Sequence, residues 1–261
     1  SAQAWAVKAI SAGTMTSNDH NAQVAHTDGP EGINKNGHGE VFDVDSQMRM
    51  SATFGAHLAG DPRLSVLFEP GSAGTTIVGM PNGSTSDTYT NTAGVTVPGV
   101  SNRHVYAQTH SALKGKDVPM VFQTYAEVEF LKAEAAIRGW TSTDPKTHYD
   151  NGVTAAMKML KQQYPASTAI TDAEISAYLS GAGAYDASKG WEMCMNEYWK
   201  ATFLNEYEAY SNWRRTGYPT LSPTKHPNSV SNGQIFRRMI YPGGESATNG
   251  DNYAAAIARQ G

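Results

Sequence analysis

The predicted fold depends on residues 191–219, which read WEMCMNEYWKATFLNEYEAYSNWRRTGYP. At about 100° per residue, this stretch predicts one long helix with an aromatic-rich face. The face contains Trp191, Met195, Tyr198, Thr202, Ala209 and Trp213, with Trp199 at its edge. Gly217 is a typical helix stop, and Pro219 prevents the helix from continuing. Because aromatic residues at helical spacing usually pack in a core, we interpret the stretch as a core helix rather than a ligand site.

The composition is that of a globular chain with few charges. The chain has 261 residues, a net charge of −4 and 17% charged residues, with acidic and basic residues interleaved. The lack of a basic stripe argues against nucleic acid or an anionic membrane surface as a partner. The single cysteine, Cys194, excludes a disulfide framework, and we expect it to be a small hydrophobic residue away from the main apolar face of its helix. No motif predicts a cofactor.

Further segments of the chain carry helix signals. They are residues 2–10, 124–138, 145–163 and 249–259, together with a short helix that begins at the capping box Thr171–Glu174 and ends at Gly181. The short connection between the second and third segments predicts an antiparallel hairpin with facing apolar stripes. The stripes are Tyr125, Val128, Leu131 and Ala135 on one helix and Val153, Ala156, Met157 and Leu160 on the other. The predicted fold class is mainly α, with tetratricopeptide-like helix hairpins and long irregular loops.

The carboxylates of segment 124–138 are expected to be structural. Glu127 completes a capping box with Thr124, and Glu129 and Glu134 are predicted to face solvent, with Glu134 paired to Arg138. A glycan hydrolase would need two carboxylates on opposing walls of a cleft, so this pattern disfavours catalysis. Farther along the chain, Glu206 lies beside the aromatic face and needs a partner. The candidate partners are Arg214, Arg215, Arg237 and Arg238, which predict an ion-pair network that ties the last loop to the aromatic helix.

Residues 13–45 and 71–118 are rich in glycine and small polar residues and are predicted to be long irregular loops. Between them, residues 46–58 have a partly helical pattern, and residues 63–68 are predicted to be a short extended segment. Asp43 and Asp45 could bind calcium, but the terminal glutamate of a calcium loop is missing, so a solvated turn is favoured. The spacing of His20, His26 and His38 is too irregular to predict a metal site.

Several blocks of the sequence, in order, resemble one family. They are MTSNDHN from Met15, GDPRL at 60–64, PMVFQTYAEVEFLKAEAAIRGW at 119–140 with HYDNGVTAAM after it, EAYSNWRRTGYP at 208–219, and FRRMIYPGGESATNGDNYAAA at 236–256. In these blocks the chain resembles the SusD/RagB-like nutrient-binding outer-membrane lipoproteins, most closely the SusD-like branch. It departs from the family pattern at Phe236, where a proline usually precedes the two arginines.

The resemblance implies a fold of tetratricopeptide-like hairpins in one domain over residues 1–261. It also implies a surface lipoprotein of the outer membrane that caps a SusC-like TonB-dependent transporter and delivers oligosaccharides, or peptides, to it without catalysis. The chain begins and ends in helix-forming sequence. We therefore expect a fragment that lacks the family's N-terminal portion, its lipid anchor and its extreme C-terminus.

A bound glycan needs exposed rings and planar polar groups, which surface loops on a rigid scaffold usually supply. The predicted ligand-binding residues therefore lie in the two long loops: Tyr89, Asn102, Arg103, Tyr106, Asn36 and His38. Among them Tyr89, Arg103 and Tyr106 are favoured, because they combine ring faces with a forked donor. The first loop also offers Asn18 and Asp19. Two alternatives are loops that merely cover the helices or contact the transporter, and a helical scaffold without its own ligand.

Overall fold

The computed structural model describes residues 1–30, 34–45, 47–72, 74–84, 88–90, 95–224, 231 and 233–260. The chain forms two compact units, Ser1–Ser222 and Pro223–Gly261, which are described separately. The single domain expected from the sequence stays a prediction. None of the described helices has both the length and the apolar character needed to cross a membrane.

The larger unit is mainly helical, as predicted. Its α-helices are α1 (Ala2–Ala12), α2 (Gly37–Val44), α3 (Ala52–His57), α4 (Leu64–Leu67), α5 (Tyr125–Ile137), α6 (Pro145–Gln163), α7 (Asp172–Ser180), α8 (Gly190–Ala201) and α9 (Glu206–Thr216). Its short strands are β1 (Ala22–Val24), β2 (Phe68–Glu69), β3 (Thr88–Thr90), β4 (Thr96–Pro98), β5 (Gln108–Thr109) and β6 (Met120–Gln123). They form the antiparallel pairs β1–β6, β2–β5 and β3–β4.

The smaller unit contains two helices, α10 (Glu245–Thr248) and α11 (Gly250–Gln260). The ring of Tyr241 packs edge-on against that of Tyr253 at 5.7 Å, and the Arg238 guanidinium lies over the Tyr241 ring at 4.7 Å. Helix α11 confirms the helix predicted at 249–259. The ion pairs predicted for Arg237 and Arg238 with the aromatic segment stay predictions.

Helices α5 and α6 pack against each other, as expected for the predicted hairpin. Thr124 and Glu127 make the expected capping box at the start of α5, and Asp144 caps α6 ahead of Pro145. The predicted stripe of α6 is buried throughout. Gly152 of α6 faces the ring of Phe130, which packs edge-on against Tyr149 at 6.5 Å. Helix α8 packs against both helices of this hairpin.

The long aromatic helix predicted for 191–216 is wrong, because it is two helices joined by a turn. The Thr202 hydroxyl donates to the backbone carbonyls of Tyr198 and Trp199, which satisfies the end of α8. Leu204 then takes a φ of 64°, and Asn205 begins α9 by accepting from the Glu208 backbone N–H. The predicted stop at Gly217 is confirmed by its left-handed φ of 79°.

The predicted solvent face of α5 is also wrong. Glu129 and Glu134 are 2% and 5% exposed, whereas Leu131 of the predicted stripe is 39% exposed. The acids are buried because each has partners from elsewhere in the chain. Glu129 bonds to Lys132 and His148, and Glu134 accepts from both Arg138 and Arg215. The predicted pair of Glu134 and Arg138 is confirmed.

The structure also corrects three other local predictions. Residues 64–67 form the short helix α4 rather than an extended segment, and only Phe68 and Glu69 are strand. Cys194 lies in the core at 0% exposure, so it does not face away from the apolar side of its helix. The predicted long loops contain helix α2 and short strands. Asn36 caps the first turn of α2, and hydrophobic periodicity alone does not show such a cap.

Four charged side chains form a buried cluster between the turn before α4 and helix α8. Arg63 binds Asp61 through Nε and Nη2, at 2.9 and 2.6 Å, and Glu197 through Nη2 at 2.5 Å. Lys200 binds Glu197 at 2.7 Å and Asp61 at 3.3 Å, and the Tyr178 hydroxyl donates to Glu197. Burial would raise the pKa of the Glu197 carboxyl, but Arg63, Lys200 and Tyr178 outweigh burial and lower that pKa to about 2.

The close approach of α5 and α6 predicts that Gly152→Ala destabilises the protein. An added Cβ would lie 2.7 Å from Phe130 Cε1, and the buried Phe130 ring is itself packed against Tyr149 and Tyr198. We expect a loss of about 1–3 kcal/mol in the free energy of unfolding, measured by urea denaturation. Gly37→Ala is the control, since no atom lies within 4 Å of its added Cβ. Equal stability of Gly152→Ala and the wild type would contradict this packing.

The buried capping box of α5 predicts a pH-dependent stability. Burial raises the pKa of Glu127 to about 7, even though Thr124 hydrogen-bonds its carboxylate. The folded chain therefore holds a proton between about pH 4.5 and 7 that the unfolded chain releases, so this stabilisation is lost as the pH rises through 7. We expect the melting temperature of Glu127→Gln minus that of the wild type to increase as the pH is raised from 5 to 8.

The second capping box supplies a matched control. Glu174 makes the same bonds to Thr171 at the start of α7, but it is exposed, and the Thr171 bonds lower its pKa. Its stabilisation is therefore present at neutral pH and lost in acid. We expect Glu174→Gln to be less stable than the wild type at neutral pH, with the difference shrinking as the pH falls. The same pH trend in both variants would contradict a raised pKa for Glu127 and a lowered pKa for Glu174.

Candidate ligand-binding groove

A surface groove lies where α2, α3 and the β2–β5 pair meet α8 and α9. The groove is a cavity of about 330 Å³, within the usual range for small-molecule sites. Its walls come from α2, the chain leading into α3, the β2–β5 pair, and the turn between α8 and α9. The lining side chains that carry the argument are Phe42, Arg49, Phe54, Trp199, Phe203 and Glu206.

An aromatic cluster makes the groove largely apolar. Phe54, on α3, is the hub of this cluster. It packs edge-on against Trp199 at 4.8 Å, and it stacks with Phe203 at 5.4 Å. Phe68 of β2 closes the cluster at 5.8 Å from Phe54. Phe54 and Phe68 are buried, whereas Trp199 and Phe203 are half-buried and line the open groove. Such half-buried rings can stack against a ligand while they stay fixed by the core.

The turn between α8 and α9 determines where two of these rings lie. Leu204 is the one non-glycine residue with positive φ among the described residues. Left-handed backbone at a bulky residue costs energy, and such strain is found most often at functional sites. Thr202, Phe203 and Leu204 all line the groove, so the strained turn forms part of its wall.

The polar groups of the groove come from Arg49 and Glu206. Arg49 is half-buried, and its Nε donates to the Arg103 carbonyl at 2.9 Å. Glu206 accepts from His38 Nε2 at 3.2 Å. This hydrogen bond lowers the pKa of the Glu206 carboxyl, so the groove has a carboxylate at neutral pH. The partner expected for Glu206 was an arginine, and the structure supplies His38 instead.

Two predicted ligand-binding residues are buried, which corrects the expectation that they face a ligand. Tyr106 is 3% exposed and its hydroxyl donates to the Pro98 carbonyl, so its ring has no free face. Asn36 is 2% exposed; its Nδ2 donates to the Val118 carbonyl, and its Oδ1 accepts from the first turn of α2. Both residues hold loops together beneath the surface.

The other four predicted ligand-binding residues do not line the groove as described. His38 and Arg103 contact the groove residues Glu206 and Arg49, respectively, without lining the groove themselves. Asn102 is half-buried at a kink in the 3-10 helix Val100–Val105. Tyr89 belongs to strand β3, but its side chain lies outside the described residues. The ligand contacts of Asn102 and Tyr89 stay predictions.

The sequence reasoning did not predict ligand binding for these groove residues: Phe42, Arg49, Trp199, Phe203 and Glu206. Trp199 was assigned to the core because the helix break after Ala201 went unrecognised. A signal was present, since Asn205 with Glu208 three residues later is a helix-start pattern. Arg49 carried no signal, because its position depends on a carbonyl 54 residues away.

The acidic residues considered for calcium have other partners. Asp43 accepts from Lys116 at 2.6 Å, and Asp45 accepts from the Gln47 backbone N–H. Within the part of the chain that the structure describes, no three His, Cys, Asp or Glu side chains are grouped to hold a metal ion.

The architecture is that of a helical-hairpin scaffold with a surface groove. The chain belongs to a SusD-like family described as starch-binding and associating with the outer membrane, whose model matches residues 1–242. The resemblance seen in the sequence is therefore confirmed. No curated protein matches the chain.

Solved structures agree with this assignment. A chitin-binding protein superposes with a TM-score of 0.81 at 30% identity, covering 99% of this chain and 56% of that one. A SusD-like protein from Bacteroidetes gives 0.80 at 26% identity, covering 99% and 62%. A SusD homologue from Bacteroides thetaiotaomicron gives 0.73 at 25% identity, covering 98% and 56%. The chain thus spans little more than half the length of these relatives, and the predicted tetratricopeptide-like class is confirmed.

Proposed function

We propose that this chain is part of a surface glycan-binding lipoprotein of the outer membrane, in which the groove holds an oligosaccharide. The observation that carries the proposal is that two half-buried rings, Trp199 and Phe203, line the groove. The same groove is lined by two charged side chains, Arg49 and Glu206. Sugar rings present an apolar face and a rim of hydroxyls, which this combination of groups matches. The family's association with starch and the chitin-binding relative support a glycan over a peptide.

The same geometry favours binding over hydrolysis. Among the described residues that line the groove, Glu206 is the one carboxylate, and glycoside hydrolysis needs two across the substrate. Glu127 and Glu208 do share the Tyr198 hydroxyl. However, Glu127 does not line the groove. It lines a neighbouring cavity of about 20 Å³, which has room for a water molecule and not for a sugar.

The rest of the proposed role belongs to the whole protein. We infer a lipid anchor to the outer membrane and delivery of the bound glycan to a SusC-like TonB-dependent transporter. The family's described association with the outer membrane supports this inference.

Isothermal titration with triacetylchitotriose and with maltotriose tests the groove. We expect binding of at least one trisaccharide, with Trp199→Ala weakening it by about tenfold or more, since a central aromatic contact typically supplies 1.4 kcal/mol or above. Phe42→Ala, at a ring outside the central cluster, should weaken the same binding. Chromatography of the recovered trisaccharide should show no hydrolysis.

Trp5→Ala is the matched control, because Trp5 is 69% exposed on α1 and is not part of the groove. Its affinity should equal that of the wild type. Urea unfolding separates lost contacts from lost structure, since Trp199 also packs on Phe54. Full affinity in folded Trp199→Ala and Phe42→Ala would contradict the groove as the site, and hydrolysis products would contradict the binding role.

A further inference from the structure

A second cleft lies on the outer side of the α5–α6 hairpin, formed with the 3-10 turn Asn18–His20. Its volume is about 320 Å³, and none of its lining residues belongs to the groove. Most of its lining residues have a polar side chain. The groups that carry the argument are Asn18, Asp19, Tyr125, Asn151, Thr154 and Gln162.

The wall that carries Asn18 and Asp19 is held in place by hydrogen bonds. Asn18 Nδ2 donates to the Ala155 carbonyl of α6 at 3.0 Å, and the Tyr125 backbone N–H donates to Asn21 Oδ1 at 2.7 Å. Ser17 caps the turn by accepting from the Asp19 backbone N–H. These bonds attach the turn to both helices of the hairpin, so a ligand would meet a preformed site.

Several polar groups in the cleft have unused hydrogen-bonding capacity. Asn18 Oδ1 is a buried acceptor without a partner. In the described part of the chain, the Asp19 carboxylate, the Thr154 hydroxyl and the Gln162 amide also make no side-chain hydrogen bond or ion pair with another residue. Asp19 and Gln162 are exposed, so their polar groups are open to a ligand that enters the cleft and replaces water there.

The balance of these groups selects the chemistry of that partner. The cleft offers amides, a hydroxyl and a carboxylate next to the half-buried ring of Tyr125. Its cation, Lys158, is paired with Asp172 at 2.8 Å, which leaves Asp19 as the uncompensated charge and disfavours an anion. A single carboxylate is too few for a divalent cation. A neutral ligand with many hydroxyls, which both donate and accept, fits best.

We propose that this cleft is a second saccharide site, which takes a single neutral sugar unit and is separate from the groove. Gln162 supplies a planar amide for a pair of hydroxyls, and Asn151 supplies its amide oxygen, since its Nδ2 donates to Glu129. Asp19 supplies a carboxylate acceptor, and Tyr125 supplies the ring face. The site does not depend on the groove, because the two share no residue. A glycan chain would then have two points of attachment on this unit, each of which strengthens retention of the chain held by the other.

Amide NMR with diacetylchitobiose and with maltose as free probes tests the proposal. We expect saturable shifts of the side-chain amides of Asn151 and Gln162 with at least one disaccharide. Gln162→Ala should weaken that titration about tenfold, as expected for loss of an amide contact, without changing shifts near Trp199. Gln3→Ala, an exposed glutamine on α1, is the matched control and should leave both titrations unchanged.

The outcomes for the two sites are distinguishable. Shifts in the cleft with none near Trp199 would support the cleft and contradict the groove. Shifts near Trp199 with none at Asn151 and Gln162, up to the solubility limit of both disaccharides, would overturn the second site and leave the groove standing. A cleft titration that Gln162→Ala leaves unchanged would also overturn the assignment.

Discussion

The buried charge cluster constrains the larger unit more than any other interaction, because a charge taken out of water must have a partner. Arg63 is 1% exposed and reaches Asp61 in its own turn and Glu197 on α8. Two anions and two cations make the cluster neutral. Removing any one of them would therefore leave an unpaired charge buried in the core. These charge pairs therefore favour the observed register of the segment before α4 against α8.

That register places the groove. Phe54 and Phe68 flank the Asp61–Arg63 turn in sequence, and Trp199 lies between Glu197 and Lys200 on α8. When the charges pair, the rings of α3 and β2 must meet the rings of α8 and of the turn after it. The aromatic cluster and its open edge are consequences of the same docking, and Arg49 and Glu206 complete the edge from the two flanking segments. A site built on docked elements of this kind is preformed, which favours binding without rearrangement.

Local signals predicted the hairpin and its ends well, because caps, Pro145 at the first helical position and Gly217 act within one turn of the chain. The burial of Glu129, Glu134 and Arg63 could not be read in the same way. Each depends on a partner far along the chain, such as Arg215 for Glu134 and Glu197 for Arg63. For the site, the predicted ligand contacts stay predictions, and two of the predicted residues, His38 and Arg103, contact groove residues. The sequence reasoning missed Trp199 and Phe203, because their exposure follows from the break after Ala201.

A double-mutant cycle at Arg63 and Glu197 tests this account most directly. Arg63→Met alone leaves two carboxylates with one lysine, and breaking a buried pair in this way costs about 3–5 kcal/mol. Adding Glu197→Gln restores neutrality, and its amide oxygen can still accept from Tyr178. The account predicts that the double variant is more stable to urea than Arg63→Met alone. Losses that simply add in the double variant would contradict the claim that these charges fix α8 against the turn before α4.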